Sequence, residues 1–371
     1  MAVGLPSQLN FSLSQETKNI EGFNIDGKTN VYSIIASDRS GNPVPAGTSI
    51  NFVTEGGQIE PIKQIQLASG LARASANFVS SSPRPADGRI TVVAYTLGEE
   101  SFIDQNGNNS YDLGEPFQDL GNIFKDRIFD GLYDASVDEY IPTSIANSGA
   151  CLTPALSGPA FNGTVGVTAA TSALLAFDPS IPSMGSTLSG VSTSCDGVWS
   201  GAGKVYVRRA AETVLSTSAA RALWISKTGL DATCTSLTLQ TGPLPTNNLP
   251  FTPVQGGETW YGNGPTTLTL PFIVADANTF PAPGPGGTVG RLNPMAAGTV
   301  VSATATIGLK VLVAGASVPS TSEATTAGVG VTFDTANSGT VFVTFTSPSG
   351  VGTTYAISVQ QTSAGKVGSC R

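Results

Sequence analysis

The chain contains no histidine, few basic residues and no long apolar run. Without histidine there can be no His-dependent catalytic triad, no His-bearing zinc site and no imidazole general base. Its 18 lysines and arginines form no basic stripe, which argues against nucleic-acid binding. We find no signal peptide, lipobox or membrane span. Residues 1–7 have the composition of an interdomain junction, so we expect a fragment of a longer exported protein.

Cysteine is also scarce. The four cysteines are widely spaced and form no CxxC pair, which leaves metal clusters and thioredoxin-type redox motifs unsupported. An even number in a Ser/Thr/Gly-rich chain predicts two disulfides in an oxidising compartment. Of the three possible pairings we favour Cys151 with Cys195 and Cys234 with Cys370, because the first two lie in one segment. Four buried free thiols are the alternative.

Glycine and proline are abundant, with 43 and 24 residues. Helical periodicity is nearly absent, whereas short runs of Val, Ile, Thr, Phe and Tyr recur between turn-forming residues. This pattern predicts an all-β fold of stacked β-sandwiches, and 371 residues suffice for two or three domains. The predicted strands are Gln8–Ser14, Val31–Asp38, Thr48–Thr54, Gly70–Val79, Arg89–Leu97, Lys204–Ser216, Ala219–Trp224, Thr266–Asp276, Thr299–Thr306, Lys310–Ala314, Val329–Asp334, Thr340–Thr346 and Thr353–Val359.

Negative charge is concentrated in one segment. Residues 99–139 hold eleven acids against Lys125 and Arg127, a local charge of −9 in a chain whose net charge is −8. So many carboxylates repel one another unless cations screen them, and calcium is the obvious cation.

Residues 104–115 match the twelve-residue calcium loop of the EF-hand type, with oxygen donors at positions 1, 3, 5, 7, 9 and 12. The predicted ligands are Asp104, Asn106, Asn108, the Ser110 carbonyl, Asp112 and Glu115, with Asp119 as an additional ligand. Position 6 requires a positive φ and carries Asn109 instead of glycine, which asparagine tolerates. A polar turn that happens to carry acids is the alternative. A strand, and not a helix, precedes the loop, so we expect an isolated calcium site.

Four aspartates beyond the loop recur every four residues, at positions 126, 130, 134 and 138. A helix would place them on one face, where like charges destabilise it. The segment therefore either binds a second cation, or is irregular and presents a solvated acidic face.

A resemblance emerges in the first hundred residues. The run Asp38-Arg-Ser-Gly-Asn-Pro-Val-Pro45 before a strand, Gly70-Leu-Ala-Arg-Ala74 before a later one, and the closing Ile90-Thr-Val-Val-Ala94 resemble the bacterial Ig-like (Big-1) domains of the invasin/intimin group. The resemblance implies an Ig-like β-sandwich used as a spacer or adhesive module in bacterial surface proteins. It covers about a quarter of the chain and does not extend to the acidic loop.

Together these observations predict tandem Ig-like β-sandwiches with an acidic calcium-binding insertion. We expect a sandwich at 1–98, the acidic loop segment at 99–144, Ser/Gly-rich loops and strands completing a β domain at 145–262, and a second sandwich at 263–371. The predicted function is a non-enzymatic, extracellular structural or adhesive module of a bacterial surface protein, rigidified by Ca²⁺. Its expected partners are neighbouring Ig-like domains of the same or identical chains, with a host or matrix surface ligand as a further candidate.

Three other functions fit the sequence less well. A self-assembling subunit of an extracellular fibre or sheath would use exposed edge strands. Glycoside hydrolysis by Glu99 and Glu100 is disfavoured because neighbouring residues on a strand point to opposite faces. Sugar stacking is disfavoured because aromatic residues in sandwiches more often belong to the core. The aromatic residues in question are Trp199, Trp224, Trp260 and Tyr261.

Overall fold

Strands provide nearly all of the regular structure. The computed structural model describes residues 4–113, 115, 117–120, 123–129, 137–141, 155–157, 203, 205–224, 254, 259–263, 268–278, 291–362 and 368–370. These residues contain one short 3-10 helix, Gln8–Asn10, and include no apolar helix long enough to cross a lipid bilayer. The predicted all-β fold class is confirmed.

The strands follow the predicted runs closely and add several short ones. In chain order they are β1 Phe11–Gln15, β2 Asn19–Ile20, β3 Thr29–Ala36, β4 Ser49–Thr54, β5 Gln58–Ile59, β6 Ile62–Gln64, β7 Gln66–Ala68, β8 Leu71–Val79, β9 Arg89–Gly98, β10 Phe117–Asp119, β11 Phe124–Lys125, β12 Glu139–Tyr140, β13 Ala155–Ser157, β14 Val205–Leu215, β15 Ala220–Trp224, β16 Thr259–Asn263, β17 Leu268–Asp276, β18 Val300–Ala305, β19 Leu309–Ala314, β20 Thr325–Phe333, β21 Ser338–Thr346, β22 Gly352–Thr362 and β23 Gly368–Cys370.

The chain divides into two compact units, each built from several segments. Unit 1 comprises residues 1–16, 29–85 and 90–212, and unit 2 comprises residues 17–28, 86–89 and 213–371. The predicted domain boundaries after residues 98, 144 and 262 divide the chain into consecutive segments, whereas each unit combines segments that are far apart in the sequence. These boundaries stay predictions. The favoured disulfides lie outside the described residues, apart from the backbone of Cys370 in β23.

Unit 1 contains two larger sheets besides the two-stranded pairs β10-β13 and β11-β12. Sheet A has the order β1-β3-β8-β5, with β7 also pairing with β8, and the strands of unit 1 in sheet B have the order β14-β9-β4-β6. Strands β3 and β8 alternate buried and exposed residues, as strands with one buried face should. Small residues face large ones across this pair, since Tyr32 lies opposite Ala76 and Ile34 opposite Ala74. This complementarity fills the buried side of sheet A.

Strand β9 is buried on both of its faces. Its even-numbered residues share a face with Phe52 of β4, because Phe52 lies opposite Ala94. Its outer face carries Val93, which packs with Ile123 and Ile141 from the acidic segment. The acidic segment is therefore anchored as a layer over the outer side of sheet B.

Unit 2 is a two-layer sandwich. Sheet C has the order β15-β17-β20-β19, and sheet D has the order β18-β21-β22-β16-β23. The two sheets share one apolar core, in which Phe272 and Val329 of sheet C pack with Phe345 and Ile357 of sheet D. Trp260 of β16 is fully buried in this core, as expected for an aromatic residue of a sandwich. The side chains of Trp199, Trp224 and Tyr261 lie outside the described residues.

Candidate metal centre

The candidate calcium loop is the tip of a hairpin with an aromatic base. Phe102 and Phe117 form an antiparallel β-bridge on either side of it. The ring of Tyr111 packs edge-on against both, with centroid distances of 5.7 Å to Phe102 and 5.5 Å to Phe117. Such edge-to-face pairs add to the free energy of burial. The two ends of residues 104–115 are thereby held together.

Asp104 organises the first half of the loop. Its Oδ1 accepts the Gly107 N–H at 2.6 Å and its Oδ2 accepts the Asn109 N–H at 2.7 Å. Desolvation raises the pKa of Asp104, but backbone N–H groups led by that of Asn109 outweigh it and hold the pKa below its usual value. Asn109 has a φ of +63°, so the positive φ expected at loop position 6 is confirmed.

The two asparagines predicted as ligands contact both the loop backbone and Asp112. Asn106 Oδ1 accepts the Asn108 N–H at 2.9 Å, and Asn108 Oδ1 accepts the Ser110 N–H at 2.8 Å. Both Nδ2 amino groups donate to one oxygen, Asp112 Oδ2, at 2.6 Å each. Three predicted ligand side chains therefore meet at a single carboxylate oxygen.

Glu115 closes the loop from the buried side. It is 4% exposed, whereas residues 105–110 are exposed. Its Oε1 accepts the Gln105 N–H at 2.8 Å and its Oε2 accepts the Asp112 N–H at 2.9 Å. Since a carboxylate has about four lone-pair positions, each oxygen keeps capacity for a further partner.

The predicted ligands are only partly brought together. Asn106, Asn108 and Asp112 contact one another, while Asp104 and Glu115 contact the loop backbone. Within the part of the chain that the structure describes, no three Asp, Glu, His or Cys side chains form a group able to hold a metal ion. Asp119 lies in β10 opposite Ala155, and its side chain is outside the described residues.

A residue absent from the predicted set reaches the loop from far away in the sequence. The Arg39 guanidinium donates from Nε to Asn109 Oδ1 at 3.3 Å and from Nη2 to the Asn109 carbonyl. Its Cζ lies 4.4 Å from the centroid of the Phe102 ring, a cation–π contact. Seventy positions separate Arg39 from Asn109, so no local sequence pattern could have indicated this contact.

The acidic segment beyond the loop is not helical where the structure describes it. Strands β11 and β12 pair, which places Asp126 and Asp138 next to the pair, at the end where the connecting segment joins the two strands. Both are buried, and Asp138 Oδ1 accepts the Arg127 N–H at 2.9 Å. Asp130 and Asp134 lie outside the described residues. Neither Asp126 nor Asp138 lies in a helix, and because both are buried the solvated acidic face is wrong at these two positions, while a second cation stays a prediction.

The segment also supplies some of its own counter-charge. Glu139 lies 2.8 Å from Lys125 Nζ and 2.9 Å from Arg127 Nη2. The hydrogen bond from Lys125 is the largest cause of a pKa of Glu139 below the usual value. Both basic residues of the segment are thus used here, away from residues 104–115.

Comparison with known proteins identifies no family. No protein-family model matches the chain, and no curated protein matches it. Among solved structures, the Yersinia pseudotuberculosis adhesin InvE aligns with 96% of this chain at 10% identity and a TM-score of 0.23. The chain spans 60% of the length of that structure. A likeness at this level carries no argument about fold or function.

Proposed function

We propose that the chain is a non-enzymatic structural or adhesive module of a bacterial surface protein, acting outside the cell and stiffened by calcium bound at residues 104–115. The observation that carries the proposal is the loop itself. Asp104 gathers the first turn, Asn109 adopts the positive φ that position 6 requires, and Glu115 closes the twelfth position. The Ig-like (Big-1) assignment rests on the motif at residues 38–45 and on sandwich-type sheets.

The loop offers the chemistry that calcium prefers. Side-chain oxygens of Asp104, Asn106, Asn108, Asp112 and Glu115 would hold the ion together with the Ser110 carbonyl, and all of these are hard oxygen donors. Asp112 Oδ2 already has two amino groups as its partners. A calcium ion would supply a stronger positive partner for that carboxylate, and this exchange is the physical basis of the proposed stiffening.

We expect calcium to raise the melting temperature of the protein. The affinity typical of extracellular sites corresponds to a Kd of about 10⁻⁴ to 10⁻³ M. At about 100 times Kd, binding stabilises the native state by about 2.7 kcal/mol, which corresponds to a rise of roughly 5–10 °C for a unit of this size. Calorimetry with calcium, with magnesium and with a chelator measures the shift. Terbium luminescence excited through Tyr111 reports binding directly.

Asp112→Asn in the loop is the test variant, and Asp334→Asn in unit 2 is its control. Each substitution removes one exposed carboxylate. Only Asp112→Asn should abolish the calcium-dependent shift. Equal melting of the wild-type protein with calcium and with chelator, together with no terbium signal, would refute the calcium part of the proposal.

A self-assembling fibre or sheath subunit is the second candidate. Large apolar side chains are exposed on edge strands, where unpaired backbone groups can recruit another chain. They are Ile62 of β6, Leu67 of β7 and Leu312 of β19, which are 57%, 58% and 77% exposed.

This candidate predicts that light scattering rises with protein concentration when calcium is added. Leu312→Lys should suppress the rise, because a charge on an edge strand opposes pairing. Lys310→Arg on the same strand keeps its charge and serves as the control. A monomeric protein under every condition rejects self-assembly and favours the spacer or adhesive module.

A further inference from the structure

Arg39 projects from a turn that hydrogen bonds hold firmly. Asp38 Oδ1 accepts the Asn42 N–H at 2.8 Å, Asp38 Oδ2 accepts the Gly4 N–H at 3.1 Å, and the Asp38 carbonyl accepts from Asn10 Nδ2 at 2.7 Å. Desolvation raises the pKa of Asp38, but hydrogen bonds to its carboxylate, led by that from the Asn42 side-chain amide, pull the pKa below its usual value. The turn that contains the Asp38–Pro45 motif is therefore a fixed base for the Arg39 side chain.

The guanidinium holds one peptide unit of the loop. The Asn109 carbonyl accepts from Arg39 Nη2, and the N–H of the same peptide, which belongs to Ser110, donates to Asn108 Oδ1 at 2.8 Å. With both ends engaged, this peptide plane cannot rotate freely. It immediately precedes the Ser110 carbonyl, the only backbone ligand of the proposed site.

We infer that Arg39 is a positioning residue that sets the loop for its cation and links the loop to the turn at 38–42. The inference rests on the proposed calcium binding. Ordering a loop before the ligand arrives removes an entropic cost from the binding step. It also gives calcium a route to stiffen sheet A of unit 1, because the turn follows β3 and its Asp38 carbonyl accepts from Asn10, the residue before β1. The Ser37 N–H also donates to the Asn10 carbonyl.

The charge of Arg39 acts against its geometric role. A guanidinium beside the loop repels a divalent cation, although Glu99 Oε1 lies 4.0 Å from Nη1 and offsets part of the positive charge. The pKa of Glu99 lies above its usual value, chiefly because the carboxylate is buried. The positive charge of Arg39 opposes this rise in pKa, and the negative charge of Asp38 adds to it. Substitutions that separate charge from shape can decide between these effects, since lysine keeps the charge but lacks the planar fork of donors.

The experiment compares terbium and calcium affinity in wild type, Arg39→Lys, Arg39→Gln and Arg73→Lys, all in the full chain. Arg73 is an exposed residue of β8 and serves as the matched control. We expect Arg39→Lys to weaken binding about threefold to tenfold, the effect of losing one hydrogen bond. Arg39→Gln should weaken it less, because the repulsion is also removed. Arg73→Lys should bind as wild type.

Two readouts accompany the affinities. The calcium-dependent rise in melting temperature should shrink in Arg39→Lys, and proteolysis within residues 104–115 at saturating calcium should exceed that of wild type. Wild-type affinity and wild-type protection in Arg39→Lys would overturn this inference alone and leave the calcium proposal standing. Absence of binding in the wild-type protein would overturn both.

Discussion

Replacing Phe345 with alanine should destabilise unit 2 by about 3–5 kcal/mol, because a fully buried aromatic ring leaves a cavity that its neighbours cannot fill. Phe345 is 0% exposed and packs edge-on against Phe272 at 6.4 Å and against Tyr355 at 6.0 Å, measured between ring centroids. Both edge-to-face contacts would be lost with the ring. Urea unfolding followed by the fluorescence of the buried Trp260 measures the change.

Phe342 provides the matched control on the same strand. It lies three residues earlier in β21, on the face opposite the core, and is 39% exposed. Phe342→Ala should cost about 1 kcal/mol or less, since a strand residue on the solvent face contributes mainly local packing. Similar losses for the two variants would contradict the assignment of sheets C and D to one shared core.

Unit 2 should lose stability between about pH 4 and pH 6 through Asp276. This aspartate is 0% exposed. Burial raises its pKa from 3.8 to about 6, although the N–H groups of Thr217 and Asn278 and the charges of Arg221 and Arg89 oppose the shift. Between these two pKa values the folded state holds a proton that the unfolded state releases. The stabilisation is complete below about pH 4 and is lost as pH rises to 6, by up to about 3 kcal/mol.

The measurement is the difference in unfolding free energy between wild type and Asp276→Asn at several pH values. Taking the difference cancels other carboxylates such as Glu21, whose pKa burial raises but serine hydrogen bonds bring below its usual value. The variant should be least stable relative to wild type at pH 4, and the gap should narrow by pH 7. A gap that does not change with pH would show that Asp276 titrates normally.

The strands were predictable because their signal is local. Alternation of apolar and polar residues identified β17–β19 and β21 to within two residues at each end, and β-branched neighbours correctly favoured a strand over a helix at Ala220–Trp224. Strand β20 begins four residues before its predicted start, because Thr325–Gly328 pairs with β17, and Gly328 also with β19, although this glycine breaks the apolar pattern.

The partners of the strands were not predictable in the same way. Residues 17–28 and 86–89 join unit 2, and β2 pairs in parallel with the last two residues of β14. Strand β16 pairs with β22, almost a hundred residues further on. Such contacts depend on the three-dimensional course of the chain, and a single sequence carries no periodic signal for them.

The proposed calcium loop combines predictable and unpredictable features. The spacing of its donors and the backbone conformation at Asn109 could be derived from twelve residues, because turns formed by Asp and Asn side chains are local. The contribution of Arg39 could not, because it comes from a separate turn. The orientation of the amides toward Asp112 also required the structure, since asparagine can present either nitrogen or oxygen.

The layer of Ile123 and Ile141 over β9 determines where another molecule could approach unit 1. Another molecule can contact that face of sheet B only if this layer is first displaced. The outer side of sheet A is different, since Ser14, Ser33 and Ser75 form a hydroxyl row across β1, β3 and β8, with the last two oxygens 2.8 Å apart. A ligand that binds unit 1 on this face would therefore need polar groups that hydrogen-bond to serine hydroxyls, and an apolar ligand would bind there less well.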